Sequence, residues 1–107
     1  MKAILQHINK VFDNRIRLAI MSVLMVNERV DFNTLKELLD VTDGNLASHT
    51  RALENEQYIT VEKSFVGRKT NTSYKATEKG KRAFTEHIDA LEQIINQRVM
   101  SNEDCEL

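Results

Sequence analysis

Proline is absent from the 107 residues, and glycine occurs only three times. A chain this poor in turn-forming and helix-breaking residues reads as mostly helical. The same scarcity argues against an enzyme pocket built on glycine-rich loops. Apolar periodicity then divides the chain. Ile4, Ile8, Val11 and Phe12 recur at helical spacing, which predicts a short amphipathic helix over residues 3–12. Asp13 and Asn14 stand as caps before a helix over 15–27. Its Ile16, Leu18, Ala19, Ile20, Met21, Val23, Leu24, Met25 and Val26 are apolar nearly all round, which suits the centre of a domain.

Val30, Asp31 and Phe32 suggest a brief extended segment. Asn33 is a good cap for a short helix whose Leu35, Leu38 and Leu39 form a buried stripe ending near Asp40. Thr42 caps the next helix, over 43–56, with Leu46, Thr50 and Leu53 at i, i+4 and i+7. Two helices joined by a tight turn, here over 33–56, form a helix-turn-helix. The rhythm then changes. Ile59, Val61, Lys63 and Phe65 alternate with Thr60, Glu62, Ser64 and Val66, a period of two that reads as strand. Residues 67–72 are polar turn material, and 73–76 return as a second strand, so 59–76 is a hairpin with a cationic tip. Thr77 caps a last helix over 78–99, with Phe84, Ile88, Leu91, Ile95 and Val99 along one face. The fold class is therefore mainly α with a small β-hairpin: a winged helix-turn-helix flanked by terminal helices.

The chain's length suits one domain, which at this size buries about two-thirds of its unfolded surface. No apolar run approaches the ~18 residues of a membrane span, and the first ten residues are too polar for a signal peptide. The lone Cys105, in a polar tail, cannot form an internal disulfide. These features predict a cytoplasmic protein with no membrane partner. The net charge of −1 hides a division. Between residues 63 and 82, Lys63, Arg68, Lys69, Lys75, Lys79, Lys81 and Arg82 face a single anion, Glu78. That local excess of +6 leaves −7 for the rest of the chain. A concentrated cationic segment matters more for nucleic-acid binding than the near-neutral total.

The order and spacing of several pieces resemble small winged-helix regulators related to the MarR and ArsR families. These pieces are Thr-Asp-Gly-Asn-Leu at 42–46, Ala-Ser-His at 47–49, Leu-Glu at 53–54, the wing Lys-Ser-Phe-Val-Gly-Arg-Lys at 63–69 and Thr-Glu-Lys-Gly at 77–80. The likeness spans residues 14–96. It implies a homodimeric bacterial or archaeal transcriptional regulator. One departure is local: the family usually places glycine before the aromatic that follows the recognition helix, and this chain has Gln57 there. A non-glycine residue at positive φ costs about 1 kcal/mol.

Specific residues follow from this reading. With Leu46, Thr50 and Leu53 inward, the opposite side of the recognition helix carries Gly44, Ser48, Arg51 and Asn55, with Asn45, His49 and Ala52 on its flank. Arginine pairs with guanine and asparagine with adenine in the major groove, so Asn45, Ser48, His49 and Arg51 are expected at the bases. At the hairpin, Arg68, Lys69 and Thr70 are expected to reach the minor groove or the phosphate backbone beside the helix, with Lys63 and Lys75 enlarging the same patch. Lys79, Lys81 and Arg82 oppose the dipole at the start of the last helix, which a phosphate partner would explain.

The apolar stripes Ile4, Ile8, Val11, Phe12 and Phe84, Ile88, Leu91, Ile95 predict a homodimer held by the terminal helices, facing a near-palindromic operator. His7, His49 and His87 lie on three different predicted helices without ligand-spaced partners, so neither a metal nor another cofactor is expected. Nor is enzymatic activity. The competing reading is a winged-helix protein-interaction module without DNA binding, favoured by the pI of 6.3 and the acidic ends. Concentration of cations in the wing and its neighbours argues for DNA. No segment is set apart for an effector, so a small-molecule ligand would have to occupy a cleft between helices of the dimer.

Overall fold

The computed structural model describes residues 1–97. Five helices and three strands follow in the order α1 (Lys2–Leu5), α2 (Arg15–Val26), β1 (Val30–Asp31), α3 (Phe32–Leu39), α4 (Asp43–Asn55), β2 (Ile59–Val66), β3 (Lys69–Ala76) and α5 (Glu78–Ile95), with a 3-10 turn at Lys10–Phe12. Side chains cap most of the longer helices. The Asn14 carboxamide oxygen accepts from the amides of Ile16 and Arg17 at 2.9 and 3.1 Å, starting α2. Asp31, two residues before the expected Asn33, caps α3 by accepting from the Thr34 amide at 2.8 Å. Hydrogen bonds from Thr34 hold the Asp31 carboxyl below its ordinary pKa. Asp40, at φ 52°, stops α3 in the left-handed region, which aspartate tolerates better than most residues. Thr42 then caps α4 through the Asn45 amide at 3.2 Å.

The core gathers where α2 meets α4 and the base of the sheet. Ile20, Met21, Leu24, Leu35, Leu46, Leu53 and Ile59 are all but sealed from solvent. The all-round apolar character of α2 is thus used, as its position at the centre requires. The sheet runs β1-β3-β2, with both pairs antiparallel. Its long ladder extends from Ile59 opposite Ala76 to Val66 opposite Lys69. Pairing therefore continues through Thr70, Asn71 and Thr72, and only Gly67 and Arg68 turn the chain. The expected loop over 67–72 is replaced by a two-residue turn. Gly67, at φ 66°, fills the first central position, where the twist of the flanking strands requires a residue of that conformation.

The amino-terminal segment departs from expectation. A single helix over 3–12 is not formed: α1 ends at Leu5, and the chain turns before Lys10. Asn9 anchors the interruption. Its side-chain amide donates to the Tyr58 hydroxyl at 2.9 Å, its backbone amide to His87 Nδ1 at 3.0 Å, and its side-chain oxygen accepts from the Val11 amide at 3.0 Å. The break lets Phe12 turn inward, where its ring lies 5.6 Å from Tyr58, 5.2 Å from Phe84 and 5.3 Å from His87. Phe12 and Phe84, expected at a subunit interface, are consequently buried in the chain's own core. Val11 packs against the same core. His87 is buried with Nδ1 accepting, and this burial lowers its pKa against a smaller opposing pull from Asp13. The last helix ends at Ile95, not 99. Val99 and Cys105 lie outside the described residues.

Recognition helix, wing and α5 meet at Tyr58. Gln57 adopts φ 64°, the conformation for which glycine was expected. The departure in sequence therefore leaves the geometry intact and leaves strain in its place. Thr77 clamps the junction: its hydroxyl donates to the Gln57 carbonyl at 2.7 Å and accepts from the Gly80 amide at 2.9 Å. A Cβ at position 80 would lie 2.1 Å from the Tyr58 carbonyl oxygen, so this helix start reaches the strand only because residue 80 is glycine.

Candidate nucleic-acid interface

Helix α4 is held from below by Leu46, Thr50 and Leu53, all buried. Gly44, Asn45, Ser48 and Arg51 are exposed on its outer side, as the helical wheel requires. Ser48, Gly44 and the half-buried Ala52 are small, which permits close approach of the helix backbone to another surface. The amino-terminal end is tied to α3 by the Lys36–Asp43 ion pair at 2.7 Å. Its first residues, Asp43, Gly44 and Asn45, are exposed, and the Asn45 amide is held by the Thr42 hydroxyl.

His49 is placed differently from its neighbours. It is half-buried, and its Nδ1 lies 3.2 Å from Arg17 Nη1. Arginine can only donate, so Nδ1 must carry the lone pair and Nε2 the proton. Burial and then the adjacent Arg17 charge lower the His49 pKa, which keeps the ring neutral. Arg17 is itself anchored, donating from Nε to the Val11 carbonyl at 2.6 Å. The sequence offers no signal for this pairing, because Arg17 and His49 come from helices brought together only by the fold.

The wing stands beyond the core. From Glu62 to Thr70 every residue is exposed, on both faces of the ribbon. Glu62, the single anion between Ile59 and Thr77, pairs with Arg29 at 2.6 Å, which braces the wing base and leaves the tip cations without an internal counter-ion from the hairpin. Arg68 lies in the turn and Lys69 opens β3, with Thr70 beside them. Lys63 and Lys75 do not share one patch. Lys63 pairs with Thr72, whereas Lys75 pairs with Thr60, and strand alternation sends these two pairs to opposite faces. Lys75 lies near the wing base, beside a hollow also lined by Leu24 and Lys81.

Two of the three cations opening α5 have internal partners. Lys79 Nζ lies 5.8 Å from the centre of the Tyr58 ring, and Lys81 is 3.9 Å from Glu78. A phosphate is therefore not required to explain those two lysines. On the far side of α5, Ile88, Leu91 and Ile95 remain exposed, together with Leu5 of α1. Leu5 lies off the helical stripe of Ile4 and Ile8, so nothing in the apolar spacing marks it. Ile4 and Ile8 are half-buried. Among the described residues no group of three or more His, Cys, Asp or Glu side chains is arranged to hold a metal ion. Nor is any described helix long and apolar enough to cross a membrane.

Comparison with known proteins agrees with this geometry. The chain is 36% identical over 85 residues to the uncharacterized protein MJ0432 of Methanocaldococcus jannaschii, covering 79% of this chain and 92% of that protein. Among solved structures it is similar to a transcriptional regulator homologue from Pyrococcus horikoshii OT3, with 28% identity, a TM-score of 0.79, and coverage of 89% and 92% of the two chains. The fold is also that of Bacillus subtilis PadR, solved in complex with operator DNA, with 15% identity, a TM-score of 0.60, and coverage of 79% and 50%. The family pattern described as a winged helix DNA-binding domain matches residues 16–95, and with most of its length so matched the chain belongs to that family.

Proposed function

We propose that this protein is a sequence-specific, DNA-binding transcriptional regulator that acts as a homodimer on a near-palindromic operator. The observation that carries the reading is the pairing of two surfaces: the exposed Asn45, Ser48 and Arg51 side of α4, and a projecting hairpin whose only anion is already paired. In this reading α4 enters the major groove, with Arg51 and Asn45 on base edges and Ser48 allowing close approach. His49 presents its Nε2 proton to an acceptor at the margin of the groove. Arg68, Lys69, Thr70 and Lys63 meet the phosphate backbone, while Lys75 contributes field from the opposite face.

Selection of bound duplexes from a random pool tests the reading and returns the half-site. Replacing Arg51 with alanine is expected to cost about 1–3 kcal/mol at one base position and less on unrelated duplexes. Equal loss on every sequence would assign Arg51 to phosphate instead. For the dimer, Leu5, Ile88, Leu91 and Ile95 supply an apolar surface that seldom stays in water. Leu91→Asp with Ile95→Asp should yield monomers that bind an operator weakly. Sedimentation of the parent at micromolar concentration as a species near 12.4 kDa would remove the dimer and the palindrome with it.

A further inference from the structure

Phe65 is 76% exposed and Val66 67% exposed, at the far end of the wing. An aromatic in a strand usually packs across the ladder, yet its partner Thr70 leaves the ring open to water. Nothing in the core explains it. A two-stranded ribbon with both faces in solvent is also marginal by itself, so an apolar side chain here offers no internal compensation. Three features around it indicate what covers it. Lys63 shares the ring's face two residues along β2, Arg68 lies in the adjoining turn, and Lys69 pairs with Val66 on the other face. Residues 63–75 contain no carboxylate, so a cationic or neutral protein surface is a poor match and a polyanion a good one. The turn is only two residues wide, which makes the tip narrow enough to enter a groove. Strand alternation also places Phe65 on the face that, at Ile59 and Val61, packs on the helical body. Helix α4 belongs to that body, through Leu46 and Leu53.

We propose that Phe65 is a minor-groove wedge, inserted between base pairs of the duplex while Arg68 and Lys69 hold the flanking phosphates. The proposal rests on the DNA-binding reading above and adds a mode of recognition to it. Apolar side chains inserted from the minor groove partly unstack a base step and kink the duplex toward the major groove. Pyrimidine–purine steps yield at least cost, so the wing selects a deformable step without any hydrogen bond to a base. Phe65 would thus determine preference at positions that α4 does not touch.

The test uses the full chain and a duplex of alternating thymine and adenine, with 2-aminopurine replacing single adenines. Fluorescence anisotropy reports binding, and 2-aminopurine emission reports unstacking. The parent protein is expected to raise the emission on binding. Phe65→Ser should abolish that rise, weaken binding about tenfold and leave the salt slope unchanged, because no phosphate contact is lost. Phe65→Leu should retain part of the rise, since leucine also serves as a wedge. Arg68→Ala should lower the salt slope by about one. Parent protein that binds with emission unchanged, or a rise that survives Phe65→Ser, overturns the wedge while leaving DNA binding in place. A change of sedimentation on Phe65→Ser would assign the ring to a second copy of the chain and overturn it too. Parent protein that fails to bind the duplex at low salt overturns the DNA-binding reading itself.

Discussion

Helix α4 and the wing are the two arms of one candidate interface, yet they are built on opposite principles. The helix is supported: Leu46, Thr50 and Leu53 are buried beneath it, Lys36 ties its start, and Arg17 fixes the ring of His49. The wing is unsupported beyond Glu62, where all residues to Thr70 face solvent. Reading base edges demands side chains held in place, since a bidentate pair tolerates little displacement. Holding a phosphate backbone, or entering a deformable groove, demands charge and reach more than rigidity. In the proposed reading the difference in support matches a difference in task, with hydrogen-bonded base readout on the helix and phosphate contact and groove shape on the hairpin.

Stability measurements give the sharpest break between the arms. Leu46→Ala should cost about 2–5 kcal/mol, because a fully buried leucine leaves a cavity under the recognition helix. The double change Arg68→Ala and Lys69→Ala should leave unfolding within about 0.5 kcal/mol of the parent while weakening binding to all duplexes. Urea unfolding alongside gel-shift titration checks both. Equal destabilisation would mean that the wing is part of the folding unit and the contrast is false.

The two arms share a hinge at Tyr58, and Gly80→Ala probes it. The added methyl meets the Tyr58 backbone, so a loss of about 1–3 kcal/mol is expected despite alanine's better helix propensity. Thermal melting reads the loss, and both arms should fail together because α4 and β2 leave the same junction.

Acid should act on the supported parts. His87 and His49 both have pKa values lowered in the fold, chiefly by burial, so the unfolded chain takes up protons first as the pH falls. Their contribution is complete above an ordinary histidine pKa of about 6.5 and declines as the pH drops below it. Melting temperature should therefore fall between neutral pH and mildly acid pH. His87→Gln, which keeps an acceptor for the Asn9 amide, should flatten that fall. A profile unchanged by the substitution would show that protonation of His87 does not drive the acid loss.

The smallest expected effect is a gain. Gln57→Gly should relieve the left-handed strain at the end of α4 and raise stability by no more than about 1 kcal/mol, part of it offset by greater freedom in the unfolded chain. Calorimetry measures the gain. A loss would show that the Gln57 side chain stabilises the junction more than its backbone strains it.

Much of this was written in local pattern. The spacing of Leu46, Thr50 and Leu53 determined which side of α4 is buried, because a helix repeats every 3.6 residues wherever it sits. The alternation from Ile59 to Phe65 determined a strand, whereas the left-handed position at Gln57 was implied by the family resemblance alone and is adopted despite the missing glycine. Other features depended on partners distant in sequence. Residues 67–72 read as a loop because threonine and asparagine are as polar in a strand as in a turn, and the ladder alone shows that Lys63 and Lys75 part to opposite faces. The apolar spacing from Ile4 to Phe12 suits a continuous helix, but Asn9 gains partners on Tyr58 and His87 only when the chain breaks. That break buries Phe12 against Phe84, takes both rings from the surface, and leaves Leu5, Ile88, Leu91 and Ile95 outside. Periodicity tells which residues share a face, whereas burial depends on what the rest of the chain brings against that face.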